Sequence, residues 1–394
     1  VFNANGGSGA LQASDFAFSI SGGTATLGSA TPTSISASGN VYTLGINLSG
    51  TSNGLDTLFV NPLDDSIFDL VGNEADTLQN NNSVLLNDLA APSIISVSSS
   101  TADGLYKIGD EISIEATFSE SVVVNSALFQ EDGTGRPQLT LETGSSDQVI
   151  NYSSGSGGAV LTWSYTVVSG NISSDLDYQS EDALVLNSGT IKDATGNAAI
   201  LTLPVPSASG SLGANKALVI DGIVPMIDSS SLAIDNSYID LAISEAVYNA
   251  NNGSGALEAS DFTLTFSKNS GNATAASISS IKKNDNTAEG SATALSGGEA
   301  VIRIFLNITG TPSGVETIAI TPVNASSIFD LAGNAMPTSQ TNGIVTLNDK
   351  LAATIINVTF KGGRTFEVTF GDSVFGDCSG SPLEVEDFVV DYVE

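Results

Sequence analysis

The chain has 394 residues, enough for two to four domains at roughly 100 to 200 residues each. It carries 11 Lys+Arg against 43 Asp+Glu, a formal charge of −32, and no histidine. So few bases leave almost nothing to release the counterions of a nucleic acid, and without histidine no Ser-His or Cys-His nucleophile and no His-ligated zinc site can be assembled. The chain is 41% hydrophobic, too apolar for a disordered acidic tail, so it is expected to fold.

Along the chain the dominant signal is internal repetition. Residues 1–16, VFNANGGSGALQASDF, return at 247–262 as VYNANNGSGALEASDF. Residues 66–73, SIFDLVGN, return at 327–334 as SIFDLAGN, and VLLNDLA at 84–90 matches VTLNDKL at 345–351. A looser copy, VFGDCSGSPLEVEDF, opens at Val374. Between the two strong copies lies a different unit with IKDATGNA at 191–198. The expected modules are 1–90, which lacks its first strands, 91–222 of a second type, 223–350 of the first type, and 351–394, the first strands of another.

Within modules the period is two. Ile112, Ile114, Ala116 and Phe118 alternate with polar residues, as do Leu161, Trp163, Tyr165 and Val167. VIRIFLNI at 301–308 and TIAITPV at 317–323 continue the pattern. Half-buried strands between Gly/Ser/Asn turns predict an all-β fold of tandem Ig-like β-sandwiches, with helices nearly absent. The short joints, NDLAAPS at 87–93 and DGIVPMI at 221–227, favour an elongated rod over a flexible string. Trp163, by its alternation, belongs in a core.

Three segments carry a resemblance: FSESV at 118–122, LTLETGSSDQVINYSSGSGGAVLTWSYTV at 139–167, and LVLNSGTIKDATGNAAILTLPVPSASGSLGANKALVIDG at 184–222. They resemble the bacterial Ig-like (BIg-type) tandem repeats of large surface adhesins. The modules with GALEASDF and SIFDLAGN are similar to a companion repeat of Bacteroidota cell-surface proteins. The resemblance implies export, attachment at the cell surface, adhesion or filament assembly, and calcium dependence. It implies a stalk or fibre whose partners are further repeats of the same chain or identical subunits head-to-tail, with a surface glycan or host-cell ligand elsewhere.

Sandwich topology brings distant acids together. In a seven-stranded module the incoming linker, the end of the second strand and the turn before the last strand share one pole. Asp88, Glu120 and Asp193 should therefore meet at one joint, and Asp221, Glu245 and Asp330 at the next. Asp349 and Asp372 keep two members of a third set, and Asp69 is left alone in the first module. Clustered carboxylates repel unless protonated or neutralised. An oxygen-only set suits structural Ca2+, completed by carbonyls and by Asn87 and Asn348. The competing reading is that DxxGN is a turn in which Asp caps its own backbone. Asp175 and Asp177 read as a solvated face.

Four Asp-Ser/Thr-aliphatic triplets resemble the O-glycosylation acceptor of Bacteroidota exported proteins, with Thr57, Ser66, Thr77 and Ser373 as acceptors; an ordinary turn pair is the alternative. Cys378 is the single cysteine, so it forms no internal disulfide and reads as a small loop residue. No apolar run approaches the length of a membrane span. Residues 1–9 have neither the basic nor the apolar region of a signal peptide, but they read as mid-module sequence. Paired carboxylates could hydrolyse glycosides, yet aromatics are only 6%, so neither an enzyme nor a carbohydrate-binding accessory module is favoured. Because 354–394 supplies the strands that 1–90 lacks, two readings stand: a window on a longer repeat protein, or strand donation between subunits.

Overall fold

The computed structural model describes residues 1–374 and 381–389; Cys378, expected in a loop, lies outside them. The protein is all-β and built of sandwich-like repeats, and its one α-helix among the described residues is a single turn, Leu212–Asn215. The chain divides into two compact units, Val1–Asp221 and Gly222–Glu394.

The first unit contains two sets of sheets. Residues 1–90 supply β1 (Phe16–Ser21), β2 (Thr26–Leu27), β3 (Ser34–Ser38), β4 (Val41–Gly45), β5 (Leu48–Ser49), β6 (Thr57–Pro62) and β7 (Ser83–Leu85). They pair as β1-β6-β7, β2-β5 and β3-β4. The rest of the unit supplies β8 (Ile94–Ser99), β9 (Gly104–Lys107), β10 (Glu111–Val124), β11 (Gln138–Leu141), β12 (Gln148–Ser154) and β13 (Gly158–Thr166). It ends with β14 (Ile172–Ser173), β15 (Leu184–Val185), β16 (Ile191–Lys192) and β17 (Leu218–Asp221). One sheet runs β15-β11-β12-β13-β10-β16 with β8 also on β10, and the other runs β14-β17-β9. The β9–β17 pair is parallel, Gly104 facing Leu218 and Lys107 facing Asp221.

The period-two pattern fills the core between these sheets. Ile112, Ile114, Leu161 and Trp163 are fully buried and meet Leu218 and Ile220 of the opposite sheet. The expectation for Trp163 is met: its indole N–H donates to the Pro137 carbonyl at 3.1 Å. Each such side chain removed from water contributes on the order of 1.5–3 kcal/mol.

The second unit holds β18 (Ile227–Leu232), β19 (Tyr238–Val247), β20 (Phe262–Ser267), β21 (Ala275–Lys282), β22 (Glu299–Thr309), β23 (Thr317–Pro322) and β24 (Ile344–Thr346). Sheets β18-β19-β22-β21 and β20-β23-β24 enclose a core of Ile239, Leu241, Ile302, Ile304, Ile318 and Ile320. A hairpin of β25 (Ile355–Gly362) and β26 (Thr365–Phe370) follows. No helix among the described residues is long and apolar enough to cross a membrane.

Candidate metal centre

Strand β10 explains the position of Glu120. Its inward positions run Ile112, Ile114, Ala116, Phe118 and Val122, all at most 2% exposed. Glu120 falls on that same face by alternation, where the β10–β13 register breaks between Thr117 and Val122. A carboxylate thus stands where the pattern calls for an apolar side chain, at the lip of the core. Burial pushes its pKa up, and the neighbouring charges of Asp88 and Asp193 push it further.

Asp193 follows β16 in the turn that precedes the last part of the module. Its Oδ1 accepts from the backbone N–H groups of Thr195 (2.9 Å), Gly196 (2.6 Å) and Asn197 (2.8 Å), and from the Thr195 hydroxyl. Its Oδ2 accepts from the Asn197 side-chain amide at 2.7 Å. Burial opposes the charge, yet these donors, led by the Asn197 side chain, hold the carboxyl below its ordinary range. Gly196 takes φ 103°, a conformation costly for residues with a Cβ. The turn reading is therefore fulfilled by one oxygen, and the second oxygen keeps lone-pair capacity.

Asp88 is set by the linker. Leu89 donates to the Ser52 carbonyl (2.9 Å) and the Ser52 hydroxyl to the Asn87 carbonyl (2.6 Å), fastening the linker to residues 1–90. The Asn197 amide also reaches the Asp88 carbonyl (3.3 Å), and Ile200 donates to the Pro92 carbonyl (2.8 Å). The outcome is that carboxylate oxygens of Asp88, Glu120 and Asp193 lie within 4.8 Å of one another. At that separation each charge pair repels by about 3 kcal/mol at an effective dielectric near 20. Among the described residues no Lys or Arg pairs with any of the three. Three converging carboxylates without nitrogen or sulfur fit a hard divalent cation such as Ca2+.

In the second unit, Glu245 occupies the matching position on β19, after Ile239, Leu241 and Ile243 and before a fully buried Val247. A carboxylate oxygen of Glu245 lies within 4.8 Å of one on Asp330. Asp330 is fully buried; its Oδ1 accepts from Gly333 (2.7 Å) and Asn334 (2.8 Å), and its Oδ2 from the Asn334 amide (2.8 Å). Asp221 is the last residue of the first unit, at the end of β17.

The remaining acids join no group of three among the described residues. Asp69 makes the same turn, its carboxylate accepting from Val71, Asn73 and the Asn73 amide, and the Asn73 side chain holds its pKa down. Asp349 is exposed and accepts from Leu351 N–H (2.8 Å), and Asp372 is exposed after β26. Among the described residues neither joins a group of three. Asn348 Nδ2 donates to the Ala233 carbonyl (3.0 Å) and to Asn236 Oδ1 (3.2 Å), clasping the β18–β19 turn of its own module. The solvated face expected at Asp177 is also corrected: Asp177 is 7% exposed because its carboxylate accepts from Tyr178 and Ser207. Asp175 is exposed as expected.

Sequence reasoning missed two buried carboxylates, Asp56 and Glu316, both fully buried. Asp56 accepts from Ala25 (3.0 Å) and Asn53 (3.1 Å), and Glu316 from Ala273 (2.8 Å) and Ser313 (2.9 Å). The signal was a further repeat, GTSNGLDT at 50–57 against GTPSGVET at 310–317. It also bears on the sugar-acceptor reading. Asp56 of the DTL triplet is spent on backbone amides, and Thr57 begins β6; Ser66 is half-buried, while Thr77 and Ser373 are exposed.

No family model and no curated protein matches the chain. Among solved structures it is similar to surface layer protein SbsC, domains 4–9, at 13% identity and a TM-score of 0.16, covering 90% of this chain and 42% of that one. The crystal structure of the S-layer protein rSbsC(31-844) gives 12% identity, a TM-score of 0.12, and coverage of 72% and 63%. The chain thus spans less than two thirds of either, and likeness at this level carries no argument about its role.

Proposed function

We propose that this chain is a structural segment of an extracellular bacterial surface protein, a stalk or fibre of Ig-like repeats that supports adhesion or filament assembly. Its modules are joined at acid clusters that hold Ca2+. The observation that carries the reading is the convergence of Asp88 from a linker, Glu120 from β10 and Asp193 from a distant turn, without a basic partner. Asp221, Glu245 and Asp330 fill the same three roles in the sequence. A bound cation supplies the positive charge that the residues themselves lack. Asp193 is preset by its turn, Asp88 by the linker, and Glu120 by the strand, so little ordering remains when the cation arrives. The resemblance to tandem surface repeats and the acidic, histidine-free composition support the same reading.

The test is thermal unfolding in EGTA and in CaCl2, with MgCl2 at matched ionic strength as control. A ligand at a hundredfold excess over its Kd stabilises by about 2.7 kcal/mol, so CaCl2 should raise the transition by several degrees. A transition that is the same in EGTA and CaCl2 ends the proposal.

A further inference from the structure

The modules 1–90 and 223–350 repeat one sequence pattern, so a segment present in one alone stands out as an addition. Strands β3 and β4 are joined by Gly39 and Asn40, whereas their counterparts β21 and β22 are separated by residues 283–298. An irregular connection of this length inside a compact module is uncommon and usually serves a function. Two side chains accompany it. Counted back from Gly50-Thr51 and Gly310-Thr311, Thr43 and Gly45 stand where the second unit has Arg303 and Phe305. By alternation both point away from the core that holds Ile302 and Ile304, yet they are only 6% and 3% exposed.

Arg303 pins the added connection down. Its guanidinium donates twice to the Asp240 carboxylate at 2.7 Å and once to the Asn286 carbonyl at 2.8 Å, and it lies 3.7 Å from the centre of the Tyr238 ring. Phe305 braces the same ring edge-on, with 5.9 Å between centroids. Within the connection, Asp285 accepts from the Thr293 N–H (3.0 Å) and the Lys283 N–H donates to the Thr293 carbonyl (2.9 Å). The connection and the β18–β19 hairpin then flank a groove of about 660 Å3, lined by Ser231, Ile234, Asp235, Ser237, Tyr238 and Thr287. That volume is in the range of small-molecule sites.

The polar groups of the groove are free to meet a ligand. Asp235 Oδ1 accepts from the Ser237 N–H (3.0 Å) and hydroxyl (2.5 Å), while its Oδ2 and the hydroxyls of Ser231, Tyr238 and Thr287 have no hydrogen-bond partner among the described residues. The Ser237 hydroxyl holds the Asp235 carboxyl below its usual range, so it remains an acceptor. Such a carboxylate calls for donors, the hydroxyls serve either way, and the Tyr238 ring and Ile234 offer apolar surface. Anions are repelled here by Asp235 and by a chain charge of −32, and Asp240 already has its cation in Arg303. We propose that this groove binds a neutral saccharide, whose neighbouring hydroxyls meet Asp235, Ser231 and Thr287 and whose C–H face meets Tyr238. One ring suffices in place of an aromatic strip, because Arg303 and Phe305 fix it before the ligand arrives and little ordering is lost. The site lies within one module and rests on neither the stalk nor the calcium reading.

The test is saturation-transfer NMR on the full chain in EGTA, with maltotriose, cellotriose, mannotriose and chitotriose as neutral probes and trigalacturonate as the anionic one. At least one neutral probe should receive saturation at millimolar concentration, and trigalacturonate none. Asp235→Asn should weaken that binding about tenfold, the loss expected for a hydrogen bond to a charged group. Thr287→Trp should fill the groove and abolish binding. Gly290→Trp adds the same bulk to the same connection, at a position where a Cβ meets nothing within 4 Å, and should bind as the unsubstituted chain does. Equal binding by the two Trp variants, full-strength binding by Asp235→Asn, trigalacturonate bound as tightly as any neutral probe, or no neutral probe bound overturns the proposal. Working in EGTA keeps the outcome separate from calcium-dependent melting, so the two proposals fail independently.

Discussion

Asp193 and Glu120 sit in one cluster but are held by opposite means. Asp193 is ionised by its turn, since backbone and side-chain donors outweigh its burial. Glu120 has no such donors among the described residues and is destabilised by burial and by its two neighbours. Glu120→Gln therefore has a sign that depends on calcium: in EGTA it should raise the melting temperature by removing a repelled charge, and in CaCl2 it should lower the calcium increment. An undiminished increment would remove Glu120 from the site. Glu316 gives a pH prediction. Burial opposes its charge, but the Ser313 and Ala273 amides bring its pKa down from 4.5 to about 2. A folded pKa below the unfolded one contributes stability above pH 4.5 that is lost as pH falls toward 2. Glu316→Gln should flatten that acid limb and, by leaving buried amides short of an acceptor, cost about 1–3 kcal/mol at neutral pH. Denaturant titrations at neutral pH and near pH 3 would measure both. The turn aspartates were legible because DxxGN recurs as a string. Glu316 and Asp56 were not, because what marks them is the set of amides around them, not their own pattern.

Alternation made the long strands readable: Ile112 to Phe118 and Leu161 to Val167 are inward wherever the period places them. What alternation could not give is which strands pair. The parallel β9–β17 ladder joins residues 104–107 to 218–221 across most of a module, and no local signal marks so distant a partner. The same limit hid the close approach of β-turn to carboxylate at Gly271. A Cβ there would stand 2.2 Å from Glu316 Oε1, so Gly271→Ala must displace the buried carboxylate. It should destabilise the second unit by about 1–3 kcal/mol, an overpacking cost. Calorimetry that resolves two transitions should show the upper or lower one move alone; a shift in both would place the strain elsewhere. The acid joint was legible in advance because it needed only strand order and the pole each loop occupies. The Asn348–Asn236 contact was not legible, because Asn236 lies on a turn whose geometry the sequence does not declare.

At the scale of the whole molecule, a charge of −32 acts on every module at once. Added NaCl should raise the melting temperature gradually even in EGTA, since screening at about 0.1 M already shortens charge repulsion to roughly 10 Å. CaCl2 should add a further, saturable step at low concentration. A calcium effect fully reproduced by NaCl of equal ionic strength would assign the whole response to screening.

The parallel β9–β17 ladder also fixes how this module answers a pull. Strand β9 lies near the point where the chain enters the module, and β17 lies where it leaves. Tension applied through residues 91 and 222 drags the two strands in opposite directions along their common axis. Gly104, Leu105, Tyr106 and Lys107 then resist together against Leu218, Val219, Ile220 and Asp221, because a ladder loaded in shear shares the force among all its hydrogen bonds. The β25–β26 hairpin, pulled from its two ends, peels one bond at a time. The same backbone chemistry thus makes one part of the chain a brake and another a zip.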